Sequence, residues 1–153
     1  MTLVMQPLTE LRLPARADQL QALRTAVRAA ARQCGCAPQL TDQLTLAVNE
    51  AAMNIIQHAY RDSTTGEIIL EILNNDAALV FRLLDFAAPA DSAAFKSRDL
   101  DDVRPGGLGL HLIRSVMDEV VYLPAPPGFG NLLQMTKKLV PESGLRNAGD
   151  TPN

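Results

Sequence analysis

Several features are scarce in this chain of 153 residues, and each scarcity excludes something. There are only two cysteines, Cys34 and Cys36, with Gly35 between them. One pair this close builds no disulfide framework, and two thiols are too few ligands for a structural zinc site. They read as reduced thiols at a helix end. Basic residues are not in excess: 14 Lys and Arg face 17 Asp and Glu, a net charge of −3. The one adjacent basic pair, Lys137 and Lys138, lies in a strand-like segment. A nucleic-acid surface needs a concentrated basic patch, so direct nucleic-acid binding is not expected. No apolar run is long enough to span a bilayer. The opening MTLVMQPLTELRLPA has no apolar stretch behind a basic start, so no secretory signal is expected. The expected setting is the cytoplasm, away from membranes. Internal repeats and domain boundaries are missing as well.

What remains suits one folded domain. Hydrophobic residues make up 47%, enough for a core at this length. Leu8–Leu13 alternates apolar and polar, as a half-buried strand does, and Pro14 closes it. Asp18 is placed to cap a helix running to about Cys34, with Leu20, Leu23, Val27 and Ala30 or Ala31 buried. Gly35 is a natural stop. Pro38 suits the first turn of a second helix, about 38 to 60. Ser63–Gly66 reads as a turn. EIILEIL and ALVFRLLDF, split by Asn74, Asn75 and Asp76, read as a hairpin. The irregular, charged stretch 88–105 reads as a lid. Leu108–Met117 is helical, and Val120–Leu123 and Leu132–Leu139 are strands. Helices are grouped and strands come in hairpins. The expected fold is α+β: a two-layer sandwich whose mixed, mostly antiparallel sheet has helices on one face. Residues 1–140 form the domain, and 141–153 are an expected disordered tail.

Two segments can carry chemistry. LTLAVNEAAMNIIQHAY, residues 44–60, is mostly small and apolar, yet holds Glu50, Asn54 and His58 at steps of four. Residues four apart stack on one face of a helix, so these three form one stripe. Leu44, Val48, Ala51 and Ile55 form the packing face, and the polar stripe stands roughly 80–120° away. That arrangement fits a solvated flank, or a cavity bordering the core with a carboxylate base and an amide oxygen for a hard cation. RPGGLGLHLIRSVMDEV leads Gly106, Gly107, Leu108 and Gly109 into a helix N-terminus, where free N–H groups can cradle phosphates. It is neither a Walker nor a Rossmann signature. Asp85 ends the preceding strand. It is either a turn cap or an acceptor for an exocyclic amino group.

In this order and spacing, the segments resemble the anti-sigma-factor serine kinases of the GHKL ATPase superfamily. AVNEAAMNIIQHAY is similar to that family's N-box, GGLGLHLIRSVMDEVVY to its second glycine box, and GNLLQMTKKL to its closing strand. The resemblance covers about Leu8–Val140. It implies the GHKL fold, with ATP and Mg²⁺ as ligands. It implies Glu50 as the group that polarises the nucleophile, and Asn54 as the Mg²⁺ ligand. Asp85 becomes the adenine acceptor, with Asn131 beside it, and Gly106–Gly109 the phosphate cradle. His58 is then a buttress of the helix end. Lys96, Arg98 and Arg104 become lid residues able to close on the phosphates. The implied partners are an anti-sigma-factor antagonist as substrate and a sigma factor to sequester. Relatives commonly dimerise, and the sequence leaves open whether this chain does. One position departs from the pattern: Asp85-Phe86-Ala87 stands where the family has Asp-x-Gly. If that turn requires positive φ, Ala87 stores strain on the order of 1 kcal/mol or more, and either nucleotide binding is weakened or the adenine pocket is reshaped. The alternative function is therefore a catalytically weak module acting only by sequestration.

Overall fold

The computed structural model describes residues 4–61, 65–88 and 107–139. The expected lid beyond Ala88, Gly106 and the C-terminal tail lie outside them. Among the described residues, five strands and three α-helices follow in the order β1 (Gln6–Pro14), α1 (Gln21–Gln33), α2 (Pro38–Asn54), β2 (Glu67–Asn74), β3 (Ala78–Asp85), α3 (Gly107–Val116), β4 (Glu119–Leu123) and β5 (Asn131–Lys138).

The sheet order is β1-β2-β3-β5-β4, and every neighbouring pair is antiparallel. Period-two alternation sorts its side chains. Ile68, Leu70 and Ile72 of β2, Leu79, Phe81 and Leu83 of β3, and Leu133 and Met135 of β5 join the main core. Leu23 and Val27 of α1, Leu44 and Val48 of α2 and Ile113 of α3 meet them there. Packing of α1 on α2, and of α2 on α3, puts α2 in the middle of the helix layer. On the other face, Ile69, Leu84 and Leu132 form a smaller cluster with Leu123 and Phe129. The two-layer α+β sandwich read from the sequence is the fold observed.

Local chemistry explains most boundaries. Gly35 stops α1 at φ +84, where Cys36 N–H reaches back to the Ala31 carbonyl at 3.0 Å. Both cysteines are free. Pro38 opens α2, where a missing N–H costs nothing. Asn75 closes the β2–β3 turn, its Oδ1 accepting from the N–H groups of Ala77 and Ala78 at 2.8 and 2.9 Å.

Two expectations about the helices change. Asp18 does not cap α1. It sits in a 3₁₀ turn, Ala17–Gln19, and its carboxylate takes the Arg16 Nε–H at 3.3 Å. The residue flanking α1 is Leu20, which caps nothing with its side chain. Nor does α2 continue to residue 60. It gives way after Asn54 to a π turn, Ile55–Ala59, closed by Tyr60 N–H to the Ile55 carbonyl at 2.9 Å. Each π turn carries one extra residue, which rotates everything beyond it.

Candidate functional site

The buried row of β3 runs Leu79, Phe81, Leu83 and then Asp85. The alternation that buries three apolar side chains therefore points a carboxylate to the helix side, where it is 2% exposed. The β3–β5 register places Asp85 opposite Asn131, and Leu83 opposite Leu133. Asn131 is buried for the same reason. Its Nδ2 donates to Asp85 Oδ1 at 2.9 Å and to the Ala88 carbonyl at 3.2 Å. Ala87 N–H donates to the same Oδ1 at 3.0 Å. Among the described residues both donors go to Oδ1, so Oδ2 is the oxygen left for an outside donor. An outside group presenting a carbonyl there would find no donor, because a carboxylate only accepts.

Burial pushes the Asp85 carboxyl above its ordinary value, and the bonds from Asn131 and Ala87 oppose that rise. A raised folded-state value means the folded chain holds this proton more tightly than the unfolded chain. The cost is therefore absent below the unfolded-state value and complete once pH exceeds the folded-state value. At neutral pH Asp85 destabilises the fold, as a group kept for another purpose does. Asp85→Asn keeps an oxygen for Ala87 and Asn131 and drops the charge. It is expected to melt at a higher temperature than the wild type at pH 7, with the gap closing as pH falls. Thermal unfolding across pH checks this; an equal or lower melting temperature at pH 7 would count against the buried-charge account.

The turn after Asp85 is not strained. Among the described non-glycine residues only Arg61 has positive φ, at 51°. Ala87 does not, so the strain expected from a non-glycine residue there is not stored. The tight fit falls instead on Gly130. A Cβ on Gly130 would stand 1.7 Å from the Ala87 carbonyl oxygen. The Gly130 N–H also donates to the Asp85 carbonyl at 2.7 Å. The corner is built by backbone approach, and the glycine it requires sits on the facing strand's lead-in.

Leu44, Val48 and Ala51 of α2 and Ile55 at the start of the π turn are all buried, as the periodicity indicated. Glu50 and Asn54 are half-buried at the edge of that face. Among the described residues neither side chain has a hydrogen bond or an ion pair, so both heads are available to a ligand. Asn49 beside them is held by Arg24 of α1, whose Nη1 donates to Asn49 Oδ1 at 2.9 Å. His58 is a correction. It lies in the π turn, exposed and with no side-chain hydrogen bond or ion pair among the described residues, so it does not buttress the helix end. Tyr60 does: its hydroxyl donates to the Glu67 carbonyl at 2.7 Å and accepts the Phe86 N–H at 2.8 Å. The end of α2 is thereby joined to the end of β3, which carries Asp85.

Gly107, Leu108 and Gly109 form the first turn of α3. A first turn offers N–H groups without intrahelical partners. Gly106, Lys96, Arg98 and Arg104 lie outside the described residues. Sequence reasoning missed Gly130 and Tyr60. The signals were present: a glycine directly before Asn131, and a tyrosine closing the N-box-like segment.

Comparisons with known proteins bear on the chain as a whole. A family model for the histidine kinase-like ATPase domain matches residues 13–137. The serine-protein kinase RsbW of Staphylococcus aureus is 32% identical over 152 residues, covering 92% of each chain. The same-named protein of strain JH9 is 32% identical over 153 residues, again covering 92% of each. Among the described residues, no helix is long and apolar enough to cross a membrane. A family match across most of the chain, with end-to-end relatives, places this chain in the histidine kinase-like ATPase family, among the RsbW-type serine-protein kinases.

Proposed function

We propose that the chain is an ATP-dependent serine kinase that phosphorylates an anti-sigma-factor antagonist and sequesters a sigma factor. The observation that carries the reading is Asp85. It is a buried carboxylate, in register with Asn131, tied through Tyr60 to the helix that bears Glu50 and Asn54, whose side chains make no hydrogen bond or ion pair among the described residues. The names of the relatives support the serine-kinase class.

Each residue has a task its chemistry suits. Asp85 accepts a hydrogen bond from the adenine amino group, with Asn131 holding the carboxylate and lying beside the base. Gly106, Gly107, Leu108 and Gly109 supply backbone N–H groups to the phosphates at the start of α3. Asn54 offers its amide oxygen to Mg²⁺. One neutral protein oxygen suits a cation that prefers to keep water and phosphate oxygens around it. A Mg²⁺ ion held there would supply charge neutralisation for the phosphates. Glu50 orients the substrate serine and takes the proton from its hydroxyl. The phosphoserine then carries about two negative charges, which weakens the hold of the antagonist and frees the kinase for the sigma factor. A module that only sequesters was the competing reading. It drew on the expected strain at Ala87, which the backbone does not show.

The test uses purified full-length chain, a purified anti-sigma-factor antagonist protein and γ-labelled ATP. Label should appear on the antagonist. Asp85→Ala should weaken ATP binding by roughly 1–3 kcal/mol, the cost of leaving polar groups unpaired. Equal affinity in wild type and variant, measured by calorimetry, would rule out this pocket.

A further inference from the structure

The geometry points to Tyr60 as a positioning residue for nucleotide selection, its hydroxyl clamping the backbone corner that carries Asp85. This rests on the proposed adenine contact of Asp85 and goes further, to what keeps that carboxylate in place.

The clamp starts with the π turn. Its extra residue rotates Tyr60 relative to the α2 register, and Tyr60 N–H bonds Ile55 instead of Ile56. The ring then lies across Gly66. A Cβ there would meet the ring's Cε1 at 2.4 Å, Cζ at 2.6 Å and Cδ1 at 2.7 Å. Residue 66 has no side chain where the ring needs the space, and the ring has a defined seat.

From that seat one oxygen joins two strands. It donates to the carbonyl of Glu67, the first residue of β2, and accepts the N–H of Phe86, one residue past β3. The β2–β3 ladder ends at Ile68–Asp85, so Phe86 N–H lies just beyond it. Removing the phenol oxygen leaves that N–H without its protein partner at the peptide that follows Asp85. Across the corner, Gly130 N–H holds the Asp85 carbonyl. Asp85 is thus gripped from both sides, and its Oδ1 is fixed by Ala87 and Asn131. Burial raises the phenol above its ordinary value, so the hydroxyl stays a donor at neutral pH.

The consequence concerns selection more than affinity. A fixed carboxylate accepts from an amino group on the base and repels a carbonyl at the same position. Adenine and guanine differ there. If the corner loosens, the carboxylate can turn away from a carbonyl, and discrimination falls.

The experiment compares full-length wild type, Tyr60→Phe and Asp85→Ala by calorimetric titration with ATP and with GTP. Amide exchange at Phe86 is followed by NMR without nucleotide. Tyr60→Phe keeps the ring over Gly66 and removes one oxygen. The expected result is a roughly tenfold fall in the ATP-over-GTP preference, with faster exchange at Phe86. A purely structural tyrosine would lower the melting temperature and weaken both nucleotides equally. An unchanged preference in Tyr60→Phe, alongside its loss in Asp85→Ala, overturns the positioning role and leaves the adenine contact standing. An unchanged preference in Asp85→Ala removes the adenine contact itself, and the selection role with it. Unaltered Phe86 exchange in Tyr60→Phe would dismiss the clamp independently of any nucleotide.

Discussion

Glu50→Gln is expected to retain ATP binding and to lose phosphoryl transfer by about 10²–10⁴-fold, the usual range for a general base. The substitution is nearly isosteric and removes only the charge and the ability to take a proton. Glu50 is half-buried beside Ala51 and Val48, which are buried in the core, so its backbone is fixed by packing. Its neighbour Asn49 is anchored to α1 by Arg24 at 2.9 Å. The carboxylate head has no protein partner among the described residues, so the amide replacement strands no donor. Stability should therefore change little, and the antagonist and the sigma factor should still bind. A radiolabel assay resolves the expected loss. If the variant transfers phosphate as well as the wild type, Glu50 is not the base. If both proteins bind antagonist and neither labels it, the function is sequestration alone.

The second large effect is on folding. Gly130→Ala should destabilise the chain by at least about 3 kcal/mol, because the new methyl group has nowhere to go. The methyl would stand 1.7 Å from the Ala87 carbonyl oxygen and 2.9 Å from its carbon. These are backbone atoms, so no rotamer change relieves the clash. The β3–β5 end must open, which breaks the 2.7 Å bond from Gly130 N–H to the Asp85 carbonyl and shifts Asn131 off Asp85. At this chain length such a loss lowers the melting temperature by roughly 6–12 °C. ATP binding should fall in the same variant, since the corner and the carboxylate move together. Thermal and urea unfolding would measure it; a variant as stable as wild type would show that the close approach at Gly130 does not constrain the fold.

Much of this architecture was legible because it depends on short-range periodicity. Strand-length apolar runs, EIILEIL and ALVFRLLDF split by Asn74, Asn75 and Asp76, marked β2 and β3 and with them the inward-outward alternation, and steps of three and four marked α1 and α2. Those patterns depend on neighbours within one turn or one pleat, which a linear sequence displays directly. The same alternation extended by one step puts Asp85 in the inward row. The polar stripe of α2 was legible as far as Asn54. The π turn beyond it was not, because a shift from an i→i−4 to an i→i−5 hydrogen bond leaves no mark in residue types. The cap assigned to Asp18 failed for a related reason: its carboxylate found Arg16 and not the helix.

The rest was decided by contacts between distant segments. Asp85 and Asn131 meet only because β5 pairs with β3 in one register, and a shift by one residue would turn Asn131 to the open face. Whether the turn after Asp85 needed positive φ could not be read from Asp85-Phe86-Ala87, since the glycine it depends on is Gly130. Tyr60 reaches Glu67 and Phe86 only after a π turn and a sheet have been assembled around it. The sequence by itself determined which residues could be buried and which polar groups were out of place among them. The tertiary structure decided which polar groups met. Hydrogen bonds need partners within about 3 Å, and only the packed sheet and helices bring side chains far apart in sequence to that distance.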